Sequence, residues 1–304
     1  RWLLPRSGTR IRISMQTIHS IAELRAALKQ ERAQGKRIGF VPTMGNLHEG
    51  HLQLIDQAKK CSDIVVSSIF VNPLQFGAGE DLDSYPRTLA ADQQKLSSRG
   101  CNYLFAPTDA EVYPHGREAQ TQVEVPVISE MYCGITRPGH FRGVATVVCK
   151  LFGMVQPDVA IFGEKDFQQL MVIRRMTEDL SLPVEIQGAP IARNEKGLAL
   201  SSRNGYLTPE ELEVAPTLQQ TLQTAKAALL SGSKAFADIE EQAQATLEAA
   251  GFKRDYYQIC RRADLQPATD TDHEIVILAA AYIGAKLIYK HRFRARPLAR
   301  KSLN

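Results

Sequence analysis

No two cysteines of this chain stand in Cys-x-x-Cys spacing; the five, Cys61, Cys101, Cys133, Cys149 and Cys260, are scattered. An odd count argues against a full disulfide framework, so a reducing, cytoplasmic setting is the expectation. Equally absent is any apolar stretch approaching the roughly 18 residues that would span a membrane. The longest, Ile275 to Ile283, reads as a core strand. Neither Gly-x-x-x-x-Gly-Lys-Ser/Thr nor Gly-x-Gly-x-x-Gly occurs, which removes the P-loop and the dinucleotide fingerprint. There is no Ser-His-Asp or Cys-His nucleophile pattern, no internal repeat and no low-complexity segment. The body of the chain also lacks a charge excess. The formal net charge is +4, but Arg1, Arg6, Arg10 and Arg12 crowd residues 1–14, while Lys286, Lys290, Arg292, Arg294, Arg296, Arg300 and Lys301 crowd the other end. Residues 1–14, ahead of Met15, read as a disordered or appended basic leader. The tail has no aromatic platform beside it and reads as a solvated end, so no nucleic-acid partner is expected.

What is present is ordinary globular composition: 304 residues, 44% hydrophobic and 23% charged, enough for one large or two modest domains. The chain is organised around Pro42-Thr43-Met44-Gly45-Asn46-Leu47-His48-Glu49-Gly50-His51, which follows the apolar run Ile38-Gly39-Phe40-Val41. A buried strand, then Pro and Gly, then a helix opening at Asn46 or His48 makes a strand-turn-helix unit. The free N–H groups of a first helical turn and the positive end of its dipole suit a phosphate. His48 and His51, three apart on one helix face, add imidazoles that can hydrogen-bond phosphate oxygens and stabilise charge growing on a leaving pyrophosphate. Gly50 between them is expected to leave room for a ligand. Two other readings compete. A zinc-protease helix needs His-Glu-x-x-His and a third ligand, and here the spacing is one shorter. An ordinary pair of helix-surface histidines is the bland reading, less suited to a Gly-containing strand-to-helix turn.

Around this unit, strands and helices alternate. Ser20-x-x-Glu23 is a capping box, and Ile21, Leu24 and Leu28 keep helical spacing until Gly35. Asp63 to Val71 is a β-branched run of the kind found in a parallel sheet covered on both faces. A helix around Thr88–Arg99 closed by Gly100, a strand at Tyr103–Phe105 and a strand-like Val123-Glu124-Val125 follow. Then come a helix running on from Arg137 to Leu151 and a buried strand at Val159–Phe162. The expected fold is α/β: a doubly wound parallel-sheet, Rossmann-like nucleotide domain over residues 15–190, with ligands beyond the carboxyl ends of its strands. Residues 191–289 read as a smaller α/β lid domain, with a capped helix start at Thr208-Pro209-Glu210-Glu211, a helix near Asp238–Ala250, and strands at Tyr256–Cys260 and Glu274–Ala281. Residues 290–304 form the basic tail.

Three further segments carry candidate chemistry. In Val71-Asn72-Pro73-Leu74-Gln75-Phe76, just past a strand, Asn72 and Gln75 suit a small substrate with hydroxyl and carboxylate groups, although on spacing alone a turn with a solvated amide fits better. Gly163-Glu164-Lys165-Asp166-Phe167-Gln168-Gln169 offers a phosphate both a close backbone and a mobile ammonium. There Asp166 could cap a helix or meet a ribose or Mg²⁺, and Gln169 follows one turn after Lys165. Leu200-Ser201-Ser202-Arg203 lies in a polar, Gly-containing loop where two hydroxyls and an Arg can clamp phosphate oxygens, a weak signal alone. Arg137 and His140, at a glycine-flanked helix start, suit either an anion or a local pairing.

In this order the blocks resemble the pantothenate synthetase (pantoate–β-alanine ligase) family of the His-x-Gly-His adenylate-forming and nucleotidyl-transferring superfamily, over about Met15 to Lys286. The resemblance implies an ATP-dependent carbon–nitrogen ligase of the coenzyme A pathway. Pantoate carboxylate attacks the ATP α-phosphate to give pantoyl adenylate and pyrophosphate, and the β-alanine amine then displaces AMP. It places His48, His51, Lys165, Ser201, Ser202 and Arg203 on the ATP phosphates, with His51 as proton donor. It places Met44 and Gly45 against the nucleotide, the Gly163-Glu164-Lys165-Asp166 segment and Leu200 on ATP, and Ala192 at a backbone contact. Gln75 falls to pantoate and β-alanine, Gln169 to pantoate, and Asn72 to the same pocket; Tyr85-Pro86-Arg87 orders a loop over the substrate. Mg²⁺ held mainly by ATP and a homodimer complete the implied picture, with no metal site in the protein, no prosthetic group and no membrane. A nucleotidyl transferase of the same fold would want a second basic phosphate site near Gln75, where amides stand instead. From Leu287 the sequence departs from the family, so the terminal strand is expected to be shortened or repacked.

Overall fold

A computed structural model describes residues 14–284 and the backbone of 287–295. Residues 1–13 of the expected leader and 296–304 of the expected tail lie outside the described residues. The chain opens with β1 (Gln16–Ile18), α1 (Ile21–Ala33), β2 (Ile38–Thr43), α2 (Glu49–Cys61) and β3 (Ile64–Ile69). There follow α3 (Leu89–Ser98), β4 (Tyr103–Phe105), the short α4 (Asp109–Val112) and α5 (Cys133–Thr136), and α6 (His140–Val155). Then come β5 (Val159–Gly163), α7 (Phe167–Asp179) and β6 (Glu185–Ala189). Among the described residues these six strands form a wholly parallel sheet in the order β1-β4-β3-β2-β5-β6. The chain steps outward from β2 through β3 to β4, then returns to the other side of β2 for β5. The topological switch therefore lies between β2 and β5, and ligands of open α/β sheets gather outside the carboxyl ends at such a point.

Alternate residues of each strand serve opposite faces. Phe40, Val66, Phe105 and Phe162 pack with Leu24 of α1, Phe152 of α6 and Leu170 of α7. Their neighbours Val41, Val65, Leu104 and Ile161 pack with Ile55 of α2 and Leu96 of α3. Both faces are covered, which is why the central strands read as unbroken apolar runs. Val123–Val125, expected as a strand, is instead extended chain alongside α6. The Val123 N–H donates to the Thr146 hydroxyl (2.9 Å) and not to a neighbouring strand.

The second part holds α8 (Pro209–Val214), α9 (Thr217–Leu230), α10 (Phe236–Ala249), and an antiparallel sheet β7-β8-β9 of β7 (Lys253–Arg261), β8 (Ile275–Ile283) and β9 (Leu287–Ala295). Thr208 and Glu211 close a capping box around Pro209, as their order in sequence suggests. One face of this sheet, with Ile275, Ile277 and Ala279, meets Leu222 of α9 and Leu247 of α10. The other, with Cys260, Val276 and Leu278, joins the core of the parallel-sheet domain. β9 pairs with β8 from Leu287 to Ala295, so the terminal strand is not shortened, and the expected boundary at 289/290 falls inside it. The ladder needs only an extended backbone, which the basic sequence there permits.

Candidate active site

Between β2 and α2 the chain reverses through two left-handed residues, Gly45 (φ 84°) and Asn46 (φ 51°). A side chain at Gly45 would be strained by that φ and would put its Cβ 3.1 Å from Ile69 Cγ2. The turn is pinned from beneath by Asp92 of α3, which is fully buried. Its carboxylate accepts from the N–H groups of Asn46 (2.9 Å) and Leu47 (2.8 Å) and from the Thr88 hydroxyl (3.0 Å). Sequence reasoning missed this residue. The available signal was its place four residues before Leu96, on the buried stripe of α3.

His48 is the N-cap of α2, and His51 follows one turn later. The His48 Nδ1 accepts from the Gly50 N–H (3.1 Å), and the His51 Nδ1 accepts from the His48 N–H (3.2 Å). A backbone N–H is always the donor, so both Nδ1 atoms are unprotonated and each neutral ring carries its proton on Nε2. The ring centroids are 4.0 Å apart. Burial, then the charges of Lys165 and Lys95, lower the His48 pKa to about 4. Burial, then His48 and Lys165, lower that of His51 to about 3, against a smaller opposing pull from Asp166. The pair is thus two neutral N–H donors at neutral pH. The space at Gly50 belongs to the His48 ring and not to a ligand: an added Cβ would stand 2.8 Å from His48 Cε1.

Beyond the carboxyl ends of the central strands lies a cleft of about 270 Å³. Met44, His48 and His51 line it from the first turn, and Gly163, Lys165, Asp166 and Gln169 from the β5–α7 junction. Ala192, Leu200, Ser201, Ser202 and Arg203 line it from the segment after β6, and Asn72 and Gln75 from the turn after β3. Two expected residues do not line it. Gly45 is turned toward Ile69 and Asp92, and the Glu164 side chain lies against β6, its Cγ 3.1 Å from where a Cβ at Gly188 would be. Lys165 and Asp166 sit on a 3-10 turn, Glu164–Asp166, ahead of α7. Asp166 occupies the N-cap position of α7 without a side-chain cap bond, and its carboxylate stands 3.8 Å from Lys165 Nζ.

The amides divide by role. Asn72 is buried, and its Oδ1 accepts from the Leu74 N–H (3.3 Å) and the Tyr113 hydroxyl (2.6 Å). Its Nδ2 donates to Gln75 Oε1 (3.2 Å) and the Gly143 carbonyl (3.1 Å). That uses both lone pairs and both N–H groups, so Asn72 holds Gln75 in place and has nothing left for a ligand. Among the described residues Gln75 Nε2 meets only the weak acceptor Met44 Sδ (3.1 Å). The Gln169 side chain makes no hydrogen bond among the described residues. Arg137 is committed to Glu80 (Nε to Oε1, 2.7 Å), and His140 Nδ1 lies 2.8 Å from the Gln75 carbonyl, so these two brace the Gln75 turn. The Ser202 hydroxyl donates to the Asn46 carbonyl (3.2 Å), joining the second loop to the first turn, and Arg203 pairs with Asp81. Among the described residues no group of three or more His, Cys, Asp or Glu is placed to hold a metal ion, and no helix is long and apolar enough to cross a membrane. Neutral donors, an ammonium and hydroxyls on one side and two amides on the other can bind a polyanion beside a small polar acid.

Comparison with known proteins identifies the relatives of this chain and of its fold. The family model described as pantoate-beta-alanine ligase matches residues 16–291. A pantothenate synthetase of Pseudomonas putida is 58% identical over 270 residues, covering 89% of this chain and 94% of that protein. The crystal structure of pantothenate synthetase from Thermus thermophilus superposes with a TM-score of 0.87 at 44% identity, covering 93% of this chain and all of that one. That of pantoate-beta-alanine ligase from Francisella tularensis, complexed with beta-gamma ATP and beta-alanine, gives 0.77 at 33%, covering 92% and 98%.

Proposed function

The chain belongs to the pantoate–β-alanine ligase family, and from that premise we propose how its cleft divides the work. The enzyme is an ATP-dependent ligase that condenses D-pantoate with β-alanine to pantothenate through pantoyl adenylate. A pantoate carboxylate oxygen bonds to the α-phosphorus as the bond to the bridging oxygen breaks, and pyrophosphate leaves. The β-alanine amine then bonds to the acyl carbon, gives up a proton, and AMP leaves.

In our reading His48, His51, Lys165, Ser201, Ser202 and Arg203 hold the phosphates, while Gly163, Asp166, Ala192, Leu200 and Met44 flank the rest of the nucleotide. Gln75 and Gln169 hold pantoate. One observation carries this reading: two imidazoles fixed by backbone N–H groups, with their protons on Nε2, share a cleft with Lys165 and two serine hydroxyls. Such donors are aimed before the reaction starts and need no reorganisation as charge moves onto the pyrophosphate. With its Nδ1 held by the His48 N–H, His51 serves the leaving group as a hydrogen-bond donor through Nε2–H, the position the family resemblance gives to a proton donor. Mg²⁺ would come with ATP, with phosphate and water oxygens as its main ligands and the Asp166 carboxylate at hand; bound there, it neutralises phosphate charge. A homodimer built through the nucleotide domain and a cytoplasmic location follow from the family resemblance, and five free thiols suit a reducing compartment.

The test is product release from ATP and Mg²⁺ with D-pantoate alone, then with β-alanine. Pyrophosphate with pantoate, and AMP with pantothenate only after β-alanine, is the expected result. Folded protein that binds ATP but yields neither product would overturn the substrate assignment.

A further inference from the structure

Arg203 reaches Asp81 side-on: Nε to Oδ2 is 3.3 Å and Nη2 to Oδ1 is 3.0 Å. The pair is mostly covered, with side-chain exposures of 34% for Arg203 and 24% for Asp81. Burial opposes ionisation of Asp81, but the hydrogen bonds and charge of Arg203 outweigh it and hold the carboxyl below its usual range. The guanidinium has five N–H donors in a rigid plane, and this fork uses one edge. Nη1 makes no hydrogen bond among the described residues, and Arg203 lines the cleft. The loop carrying Asp81 is itself braced. The neighbouring Glu80 grips Arg137, Tyr85 packs edge-on against Phe76, and Arg87 Nη1 donates to the Tyr85 carbonyl (3.2 Å).

We propose that Asp81 is a positioning residue that holds the Arg203 guanidinium with its unused edge toward the ATP phosphates. It rests on the reading above that Arg203 binds those phosphates. An ammonium would have to exchange carboxylate for phosphate; a guanidinium can keep Asp81 on one edge and accept a phosphate on the other. Its rotamer freedom is then lost before ATP arrives and not on binding.

A double-mutant cycle on the full chain tests this, with Asp81→Asn, Arg203→Ala and the pair. The readout is initial pantoate-dependent pyrophosphate release over ranges of ATP and pantoate. We expect Asp81→Asn to raise the ATP KM about tenfold, with the pantoate KM changed by less than about twofold. In the Arg203→Ala background Asp81→Asn should add nothing. An equal effect of Asp81→Asn in both backgrounds would overturn the proposal, since Asp81 would then act without Arg203. So would a lowered ATP KM in Asp81→Asn, which would make the carboxylate a competitor of phosphate. Should Arg203→Ala leave the ATP KM unchanged, the phosphate role of Arg203 falls and takes the proposal with it. An impaired Arg203→Ala beside a normal Asp81→Asn removes the proposal alone.

Discussion

At neutral pH neither His48 nor His51 carries a charge, and this has an energetic consequence apart from catalysis. In the unfolded chain each ring takes up a proton near its ordinary 6.5, whereas in the folded protein the values are about 4 and about 3. Below 6.5 the unfolded state therefore binds more protons, and stability falls as pH falls. The contribution is fully present above 6.5 and is lost progressively toward 4 and 3. Between pH 6.5 and 5 the buried His51 ring should cost about 1.5 kcal/mol, and the partly exposed His48 ring, screened by solvent, less. Urea midpoints across that range should show a steeper decline in the wild type than in His48→Gln; parallel declines would mean the ring is not held neutral. Catalytically, His51→Ala and Lys165→Ala should each slow pyrophosphate release by about 10²-fold or more, the usual loss for a preorganised donor. Near-normal rates in both would sink the proposed phosphate site. Asp92 belongs to the same turn without belonging to the chemistry. Asp92→Ala leaves the Asn46 and Leu47 N–H groups without their acceptor, a loss of about 1–3 kcal/mol for each buried donor. Chemical denaturation should register it, together with slower adenylation.

Helix α6 sets the Gln75 turn by the absence of a side chain. A Cβ at Gly143 would stand 2.2 Å from the Leu74 carbonyl oxygen, a contact with backbone that no rotamer change relieves. Gly153, near the other end of the same helix, has nothing within 4 Å. Gly143→Ala should therefore cost about 1–3 kcal/mol by overpacking and raise the pantoate KM, because Gln75 shifts with its turn. Gly153→Ala should stabilise the helix by about 0.5–1 kcal/mol and leave the pantoate KM alone. Thermal melts and pantoate titrations of the two variants check the contrast, and similar behaviour in both would refute it. The same distinction decides what the sequence disclosed. β2, β3 and β5 were legible because both their faces are covered, giving continuous apolar runs. β1 and β6 were not, since Gln16-Thr17-Ile18 is too short for a period and Glu185-Ile186-Gln187 carries polar residues at the sheet edge. His48 and His51 could be picked out because motif and turn chemistry coincide there, whereas Ser201, Ser202 and Arg203, a weak signal alone, were picked out by the family resemblance. Asp92 and Asp81 could not, because a single carboxylate on a helix or loop looks like solvent-facing charge until the groups it accepts from are known.

Across the whole molecule, the antiparallel sheet is fastened to the parallel one. Cys260, Val276 and Leu278 share an apolar cluster with Phe162 and Leu170, and the Tyr132 hydroxyl donates to the Leu265 carbonyl (2.5 Å). Residues 191–289, expected as a lid, thus contain a sheet whose one face is part of the main core. A rigid swing of that sheet would expose apolar surface, at about 25 cal/mol for each Å² uncovered. The loops over the cleft, 77–87 and 193–206, are joined to each other by the Arg203–Asp81 pair and to the first turn by the Ser202–Asn46 hydrogen bond, so their tips can shift together with that ion pair kept while Leu198 stays anchored in the core. Closure should therefore belong to the loops while the two sheets unfold together. Leu278→Ala should cost about 2–5 kcal/mol and shift one transition whole, with calorimetric and van't Hoff enthalpies still equal. A melt that splits into two steps would instead mark the second sheet as independent. Hydrogen exchange completes the test. Adding ATP and Mg²⁺ should slow exchange in 77–87 and 193–206 and leave the amides of β7 and β8 unchanged. Protection appearing in those strands would show that nucleotide binding moves the sheet itself, and the hinge would then have to lie between the two cores.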